Sequence, residues 1–362
     1  MKESTVENST VENSAVENPK ENTVAKNLPT ADTKHPLTDV TSAWVKQQAL
    51  AVGFHQVGIA TIEATPSDAE NSAKASLQSW LAQGFQADMG WMESERRQNI
   101  RQVLPSAQSI ICVALNYYTS TQRPEGAQYA KISRYGWGRD YHRILTKKLK
   151  QLTMRILERS PHIEARLYAD TGPVQDKFWA QQAGLGWNAK NGNVITRNYG
   201  SWVFLGEIIT NLPLAPDSPH TAHCGSCTRC LEACPTEAIR TPGVVDANRC
   251  IAYHTIENRD PQLPDAIAQN LHNWVAGCDI CQDVCPWNQR FAQPTDVEGF
   301  TPYPDNIAPT LTELANITEE TWNQRFPASA LRRIKPPMLR RNAQAALSAK
   351  TSTTEPATNP EG

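Results

Sequence analysis

Apolar residues return at helical spacing over residues 139–158, where Ile144, Leu145, Leu149, Leu152, Ile156 and Leu157 form one stripe. Shorter patterns of the same kind predict helices over 41–52, stopping at Gly53, over 69–82, closing at Gly84, and over 174–183, before Gly184 and Gly186. Strand-like runs lie between them, at 55–62, 109–117 and 162–168. The middle one contains Ile110-Ile111-Cys112-Val113-Ala114-Leu115 without a polar interruption and reads as a buried strand. Residues 192–212 read as a β-hairpin or a bent strand pair. Residues 37–215 therefore predict one α/β or α+β domain. From 220 to 290 the pattern gives way to Cys, Pro and short turns, the composition of a loop-rich segment stapled by metal. Helical spacing returns from about 309, in 311–314, 318–326 and 339–349.

The ends carry no such pattern. Ser4-Thr5-Val6-Glu7-Asn8 recurs at 9–13 and, with Ala15 for Thr, at 14–18. One Val per five residues buries too little apolar surface to offset the entropy of ordering. The expected organisation is a disordered tail over 1–36, a catalytic domain over 37–215, a cluster-binding domain over 216–290, a helical module over 291–350 and a second disordered tail over 351–362. The length of 362 residues suits two or three domains. Lys and Arg number 35 against 37 Asp and Glu, a net charge of −2, so any basic site is local. No apolar run nears the roughly 20 residues of a membrane span, and the N-terminus lacks a secretory pattern. The expectation is a cytoplasmic protein with no membrane contact.

The cysteines change the picture. There are nine, and eight lie between Cys224 and Cys285. In a reducing compartment their thiolates stay free to bind metal. The first block reads Cys224-Gly-Ser-Cys227-Thr-Arg-Cys230-Leu-Glu-Ala-Cys234-Pro235. This is the C-x2-C-x2-C-x3-C-P run of bacterial ferredoxins, whose fourth cysteine reaches the other of two clusters. The second block, Cys278-Asp-Ile-Cys281-Gln-Asp-Val-Cys285-Pro286, lacks a preceding cysteine, and Cys250 is the one left unassigned nearby. The expected ligand sets are Cys224, Cys227, Cys230 and Cys285 for one [4Fe–4S] cluster, and Cys234, Cys250, Cys278 and Cys281 for the other. Two zinc sites would use the same residues, but C-x2-C-x2-C crowds three thiolates more tightly than paired zinc knuckles do. Cys112, inside its apolar run, reads as a buried structural thiol. Two clusters mean electron transfer without naming what is reduced.

Candidate chemistry lies in the first half. Between Glu125 and Glu158 stand eight Lys or Arg residues and one acid, Asp140, within Arg134-Tyr-Gly-Trp-Gly-Arg139-Asp140-Tyr141-His142. Asp140 suits a helix N-cap or first-turn acid, and equally a general acid beside an anionic substrate. The second role requires its pKa to rise by about three units, roughly 4 kcal/mol. The surrounding cations oppose that rise, so burial against a large apolar cofactor would have to win. The glycines of Asp170-Thr171-Gly172-Pro173 and of Ala183-Gly184-Leu185-Gly186-Trp187-Asn188-Ala189-Lys190-Asn191 either turn the chain or let it approach a bulky ligand closely. The run 200–207 is similar.

Taken in order, R-Y-G-W-G-R-D-Y-H, D-T-G-P, A-G-L-G-W-x-x-K-N, G-S-W-x-F-L-G-E, the ferredoxin-type run, C-I-x-Y-x-T-I-E and C-D-I-C-Q-D-V-C-P-W-N resemble the epoxyqueuosine reductase family, over residues 37–350. The resemblance implies an α+β chain. Its parts would be an α/β cobalamin-binding domain of nitroreductase or reductive-dehalogenase type, a bacterial-ferredoxin-like two-cluster module and a C-terminal helical HEAT-like module. It implies cobalamin and two [4Fe–4S] clusters as cofactors, and reduction of epoxyqueuosine to queuosine at the wobble position of tRNA. It places the proton donor on Asp140 and cobalamin contacts on Arg97, Asp140, Asp170, Lys190, Ala252, Cys278 and Asp279. The chain departs from the family pattern at Asn99-Ile100, where Asn-Pro is expected, and at Asn188-Ala189, in place of Asn-Gly. Ser133 stands where some relatives carry Cys, so a thiol there is not required.

Residues 321–354 hold seven Lys or Arg and no acid. Alone, this is a solvated helical face. With the resemblance it becomes a grip on the tRNA anticodon stem-loop, through Arg259, Arg332, Arg333, Arg340 and Arg341, with Arg134, Arg139 and Arg143 extending the basic surface. An extruded base reaching a buried cofactor is the expected binding mode. Three rival readings are a corrinoid reductive dehalogenase, a ferredoxin-type electron carrier and an RNA-binding protein with structural metal. The missing export signal argues against the first, the large second domain against the second and the redox-type ligand pattern against the third. The expected protein is a monomer fed by an unidentified low-potential electron donor.

Overall fold

The computed structural model describes residues 40–351. The pentapeptide repeats and residues 352–362 lie outside them, and Thr351 closes a helix instead of opening a tail. The N-terminal half is built on a four-stranded sheet of Gln56–Thr61, Ser109–Asn116, Val203–Thr210 and Ala165–Tyr168, in that spatial order. Every pairing in it is antiparallel. This half is therefore α+β, without the parallel crossovers of an α/β domain.

Both faces of the sheet are covered, which explains the uninterrupted apolar run. Ile111, Val113 and Leu115 pack with Val45 and Ala49 of the helix Ser42–Val52 and with Leu145, Leu149 and Leu152 of the helix Tyr141–Arg159. Ile110, Cys112 and Ala114 point the other way, towards Val103, Leu104 and Trp179. The helix Ser42–Val52 stops where expected: Gly53 adopts φ 90° and its N–H reaches the carbonyls of Ala49 and Leu50.

Residues 192–212 do not form one hairpin. Val194–Ile195 pairs back onto Trp187–Asn188, while Val203–Thr210 joins the main sheet between two other strands. Val203–Thr210 is buried at all but two positions, and only a central place with both faces covered satisfies such a strand.

The second half does not divide at 290. Trp137, Ile251, Trp274 and Val275 share one hydrophobic core with Leu311, Leu314, Trp322, Phe326, Leu339 and Ala343. The helices Leu311–Ala315, Glu319–Arg325 and Pro336–Thr351 thus roof the cluster-binding segment. A two-strand parallel pair, Lys131–Ile132 with Trp274–Ala276, ties that core to the first half just ahead of Asp140. Among the described residues no helix is long and apolar enough to cross a membrane.

Candidate active site

The turn over 133–140 is held from the far end of the chain. A Cβ on Gly138 would come within 2.8 Å of the Phe300 Cα, so only glycine allows this approach. The Arg139 amide donates to Gly299 O at 2.8 Å and the Asp140 amide to Ala328 O at 2.7 Å. Asp140 then caps the helix Tyr141–Arg159, accepting from the His142 amide at 3.0 Å. The two roles open in the sequence do not compete, because both of its hydrogen bonds fall on Oδ1.

His142 bridges two carboxylates. Its Nδ1 lies 2.7 Å from Asp140 Oδ1 and its Nε2 lies 3.0 Å from Asp170 Oδ2. Tyr141 Oη also donates to Asp170 Oδ2, at 2.9 Å. Burial disfavours charge on His142, but the bonds to Asp140 and Asp170 outweigh it and lift its pKa to about 9. Burial likewise pushes Asp170 up, and the His142 bond and charge outweigh it and hold that carboxyl below its ordinary range. Asp170 sits at φ 67°, a left-handed conformation that Asp tolerates better than most residues. The array needs residues 28 positions apart, so spacing gave no signal for His142.

These groups line a cleft of about 2690 Å³, together with Arg97, Tyr253 and Arg333. Pockets for drug-sized ligands run to roughly 300–1,000 Å³, so this one suits a far larger guest. Arg97 donates to Val174 O at 2.5 Å and Gly172 O at 2.9 Å, holding the Asp170 loop, while its Nε is buried without a partner.

Four other expected contacts do not line the cleft. Lys190 donates to Gly225 O at 2.6 Å and Cys227 O at 3.0 Å, bracing the first cysteine loop instead. Asp279 is fully buried, and its carboxylate accepts from the Arg134 amide at 2.8 Å and from the Ser133 hydroxyl. It therefore fastens Cys278 to the 133–140 turn. Ala252 lies in the first turn of the helix Ile251–Ile256, which Cys250 caps. That helix contributes Tyr253 and Ile256 to the cleft, and Ile256 and Cys278 pack against the same hydrophobic core.

The eight cysteines fall into two sets by mutual charge. Burial raises Cys230 most, and the thiols that act on it are Cys285, Cys224 and Cys227. Burial also raises Cys281, and its thiol neighbours are Cys278, Cys250 and Cys234. These neighbours group the cysteines as the spacing does, into two quartets of side chains that lie near one another. Trp187 Nε1 donates to Cys224 Sγ at 3.4 Å, and the Ala238 amide to Cys234 Sγ at 3.2 Å. Among the described residues no group of three or more His, Cys, Asp or Glu side chains is gathered closely enough to hold a metal ion. Cys112 is buried beside Glu207 and Asp176.

The basic residues divide as well. Arg259, Arg332, Arg333 and Arg143 line the cleft. Arg333 makes a two-point ion pair with Glu257 and lies 5.5 Å from the ring of Trp91, an exposed rim residue that sequence reasoning passed over. Arg340 donates to Ile317 O at 2.8 Å, in a separate hollow. Arg134 is held inside by the Thr119 and Thr121 carbonyls and the Trp137 ring. Arg341 is a correction: it is buried, and its guanidinium donates to His254 O at 2.7 Å, Asn258 O at 3.1 Å and Asp260 O. It shares the inner face of its helix with Met338 and Asn342, which a count of charges does not show. Arg341→Ala is expected to strand these carbonyls and cost about 3 kcal/mol, read by denaturant unfolding, with stem-loop RNA affinity unchanged in the folded fraction.

Comparison with known proteins follows the same division. Residues 97–171 match the profile described as epoxyqueuosine reductase QueG, DUF1730, and residues 223–288 match a 4Fe-4S double cluster binding domain. The epoxyqueuosine reductase of Synechocystis sp. is 64% identical over 291 residues, covering 80% of this chain and 100% of that one. A crystal structure of epoxyqueuosine reductase with an epoxyqueuosine-modified tRNA-Tyr stem loop superposes with a TM-score of 0.75 at 32% identity, covering 87% of this chain and 85% of that one. The enzyme of Streptococcus thermophilus gives 0.74 at 31% identity, covering 84% and 80%.

Proposed function

Since this chain belongs to the epoxyqueuosine reductase family, we propose that it reduces epoxyqueuosine to queuosine at the wobble position of a tRNA anticodon, with Asp140 as proton donor. One observation carries this reading: the short helix Ile251–Ile256 is capped by Cys250 and presents Tyr253 to the cleft that holds Asp140. Electron carrier and proton donor thus serve one cavity.

The cleft fits cobalamin by size and by the unpartnered Arg97 Nε in its wall. Arg97, Asp140 and Asp170 would hold the cofactor, with Lys190, Ala252, Cys278 and Asp279 supporting from behind. When bound, cobalamin supplies a strongly reducing metal centre for carbon–oxygen bond cleavage. Cys224, Cys227, Cys230 and Cys285 would carry one [4Fe–4S] cluster and Cys234, Cys250, Cys278 and Cys281 the other, a path for single electrons from a low-potential donor. Asp140 stands at the cleft with Oδ2 clear of its capping bonds and delivers a proton to the departing oxygen.

The C-terminal helices, read as a HEAT-like module, would grip the anticodon stem-loop while Arg259, Arg332 and Arg333 meet its phosphates at the cleft mouth. A flipped base then enters the cavity. The enzyme acts as a monomer in the cytoplasm, where its substrate is found. Three neutralised phosphates predict that log affinity for the stem-loop falls by about 2 to 3 per log unit of salt. A titration from low to high salt by fluorescence anisotropy reads this slope, and a flat response contradicts the interface. Loss of the corrinoid absorption band from wild-type protein on gel filtration contradicts the cavity assignment.

A further inference from the structure

Reduction of an epoxide to an alkene breaks both carbon–oxygen bonds, forms a carbon–carbon double bond and releases the oxygen as water. It consumes two electrons and two protons. The electrons come singly from a low-potential carrier through the clusters, as in the reaction proposed above, on which this inference rests. Asp140 as a carboxylic acid holds one proton, so the oxygen needs a second.

We infer that His142 is the positioning residue that feeds this second proton to the oxygen through Asp140. The geometry carries the argument. Both ring nitrogens face carboxylate oxygens, at 2.7 Å and 3.0 Å. Asp170 is an ionised acceptor, and Asp140, acting as the acid through Oδ2, still offers Oδ1 as an acceptor, so the ring bears a proton on each nitrogen. After Asp140 gives up its Oδ2 proton, the His142 Nδ1 proton passes to Oδ1, and rotation of the carboxyl about Cβ–Cγ presents it to the oxygen. His142 ends neutral, with Nε2–H still bonded to Asp170. The net transfer runs from an imidazolium to an alkoxide or hydroxide oxygen, which is downhill. Solvent restores the imidazolium between turnovers, since the cleft reaches the surface and the His142 side chain is 32% exposed.

The groups around His142 support a charge that persists through neutral pH. Asp140 and Tyr141 face it from its own turn, and Asp170 from the loop after Ala165–Tyr168. Beyond Asp170 lie Tyr135 and the Arg333–Glu257 pair. Burial holds Tyr135 and Tyr141 above their ordinary range, so both stay neutral. His142 itself titrates near 9.

The test is single-turnover conversion, as a function of pH, by holoenzyme pre-reduced with dithionite and bound to epoxyqueuosine-containing tRNA. The wild-type rate is expected to hold through neutral pH and fall as pH rises through about 9. His142→Asn keeps a donor for Asp140 but no transferable proton. It is expected to lower the rate roughly 10²-fold, to lose the alkaline limb and to regain rate with added imidazole. Asp170→Asn keeps the imidazole but removes one charge that favours its protonation, so the limb moves to lower pH. An unchanged limb in His142→Asn, or a slowed variant that imidazole does not rescue, overturns the inference. Failure of the wild type itself to convert the nucleoside overturns the underlying reaction instead, and the two results are distinct.

Discussion

Asp140→Asn is expected to stop conversion of epoxyqueuosine, by roughly 10²- to 10⁴-fold, with both clusters and the corrinoid still bound. The choice of Asn matters. Asp140 is also the cap of the helix Tyr141–Arg159, and Asn caps a helix about as well as Asp does. Its side-chain oxygen still accepts from the His142 amide, so the helix start keeps its geometry. What the amide cannot do is release a proton at neutral pH. Thermal unfolding of the variant should match that of the wild type, and iron content and the corrinoid band should be unchanged. Retention of the wild-type rate within a few-fold would remove Asp140 from the chemistry and leave it a cap.

The second large effect concerns Cys250, assigned to the second quartet because no other cysteine was available. In the structure burial raises its thiol, and the cysteine charge that acts on it is that of Cys234. Cys250→Ala should leave the protein with about half its iron after anaerobic reconstitution, since each of two equivalent four-iron clusters needs its own quartet. Conversion should fall below detection although Asp140 is untouched, because the helix that starts after Cys250 lines the cleft through Tyr253 and Ile256. Cys112→Ser serves as the control. Its thiol is buried beside Glu207 in the core of Val103, Leu104 and Trp179 and belongs to neither cysteine set, so iron content should not change. Full iron in Cys250→Ala would overturn the ligand assignment.

What the sequence showed and what it hid follow from the range of the interactions. Local signals were readable: Gly53 ends the helix Ser42–Val52, and Asp140 begins the helix Tyr141–Arg159. Cys285 acts on Cys230 and Cys234 on Cys281, the exchange that the repeated motif suggests. Long-range pairing was not readable. The strand Val203–Thr210 looks like half of a hairpin until its two burdened faces require a place in mid-sheet. His142 is an ordinary helix residue until Asp170 comes round to its other nitrogen. Arg341 counts as a surface charge until the helix Pro336–Thr351 turns it towards the His254 and Asn258 carbonyls. A shared core likewise erases the boundary that composition suggested at 290.

The account is tested most directly by mass analysis of nucleosides from epoxyqueuosine-containing tRNA after incubation with the anaerobically reconstituted protein, cobalamin and a strong reductant. It predicts that epoxyqueuosine is replaced by queuosine, and that omitting cobalamin prevents the change. Unchanged epoxyqueuosine from protein whose clusters and corrinoid are both in place, or full conversion without cobalamin, would contradict it.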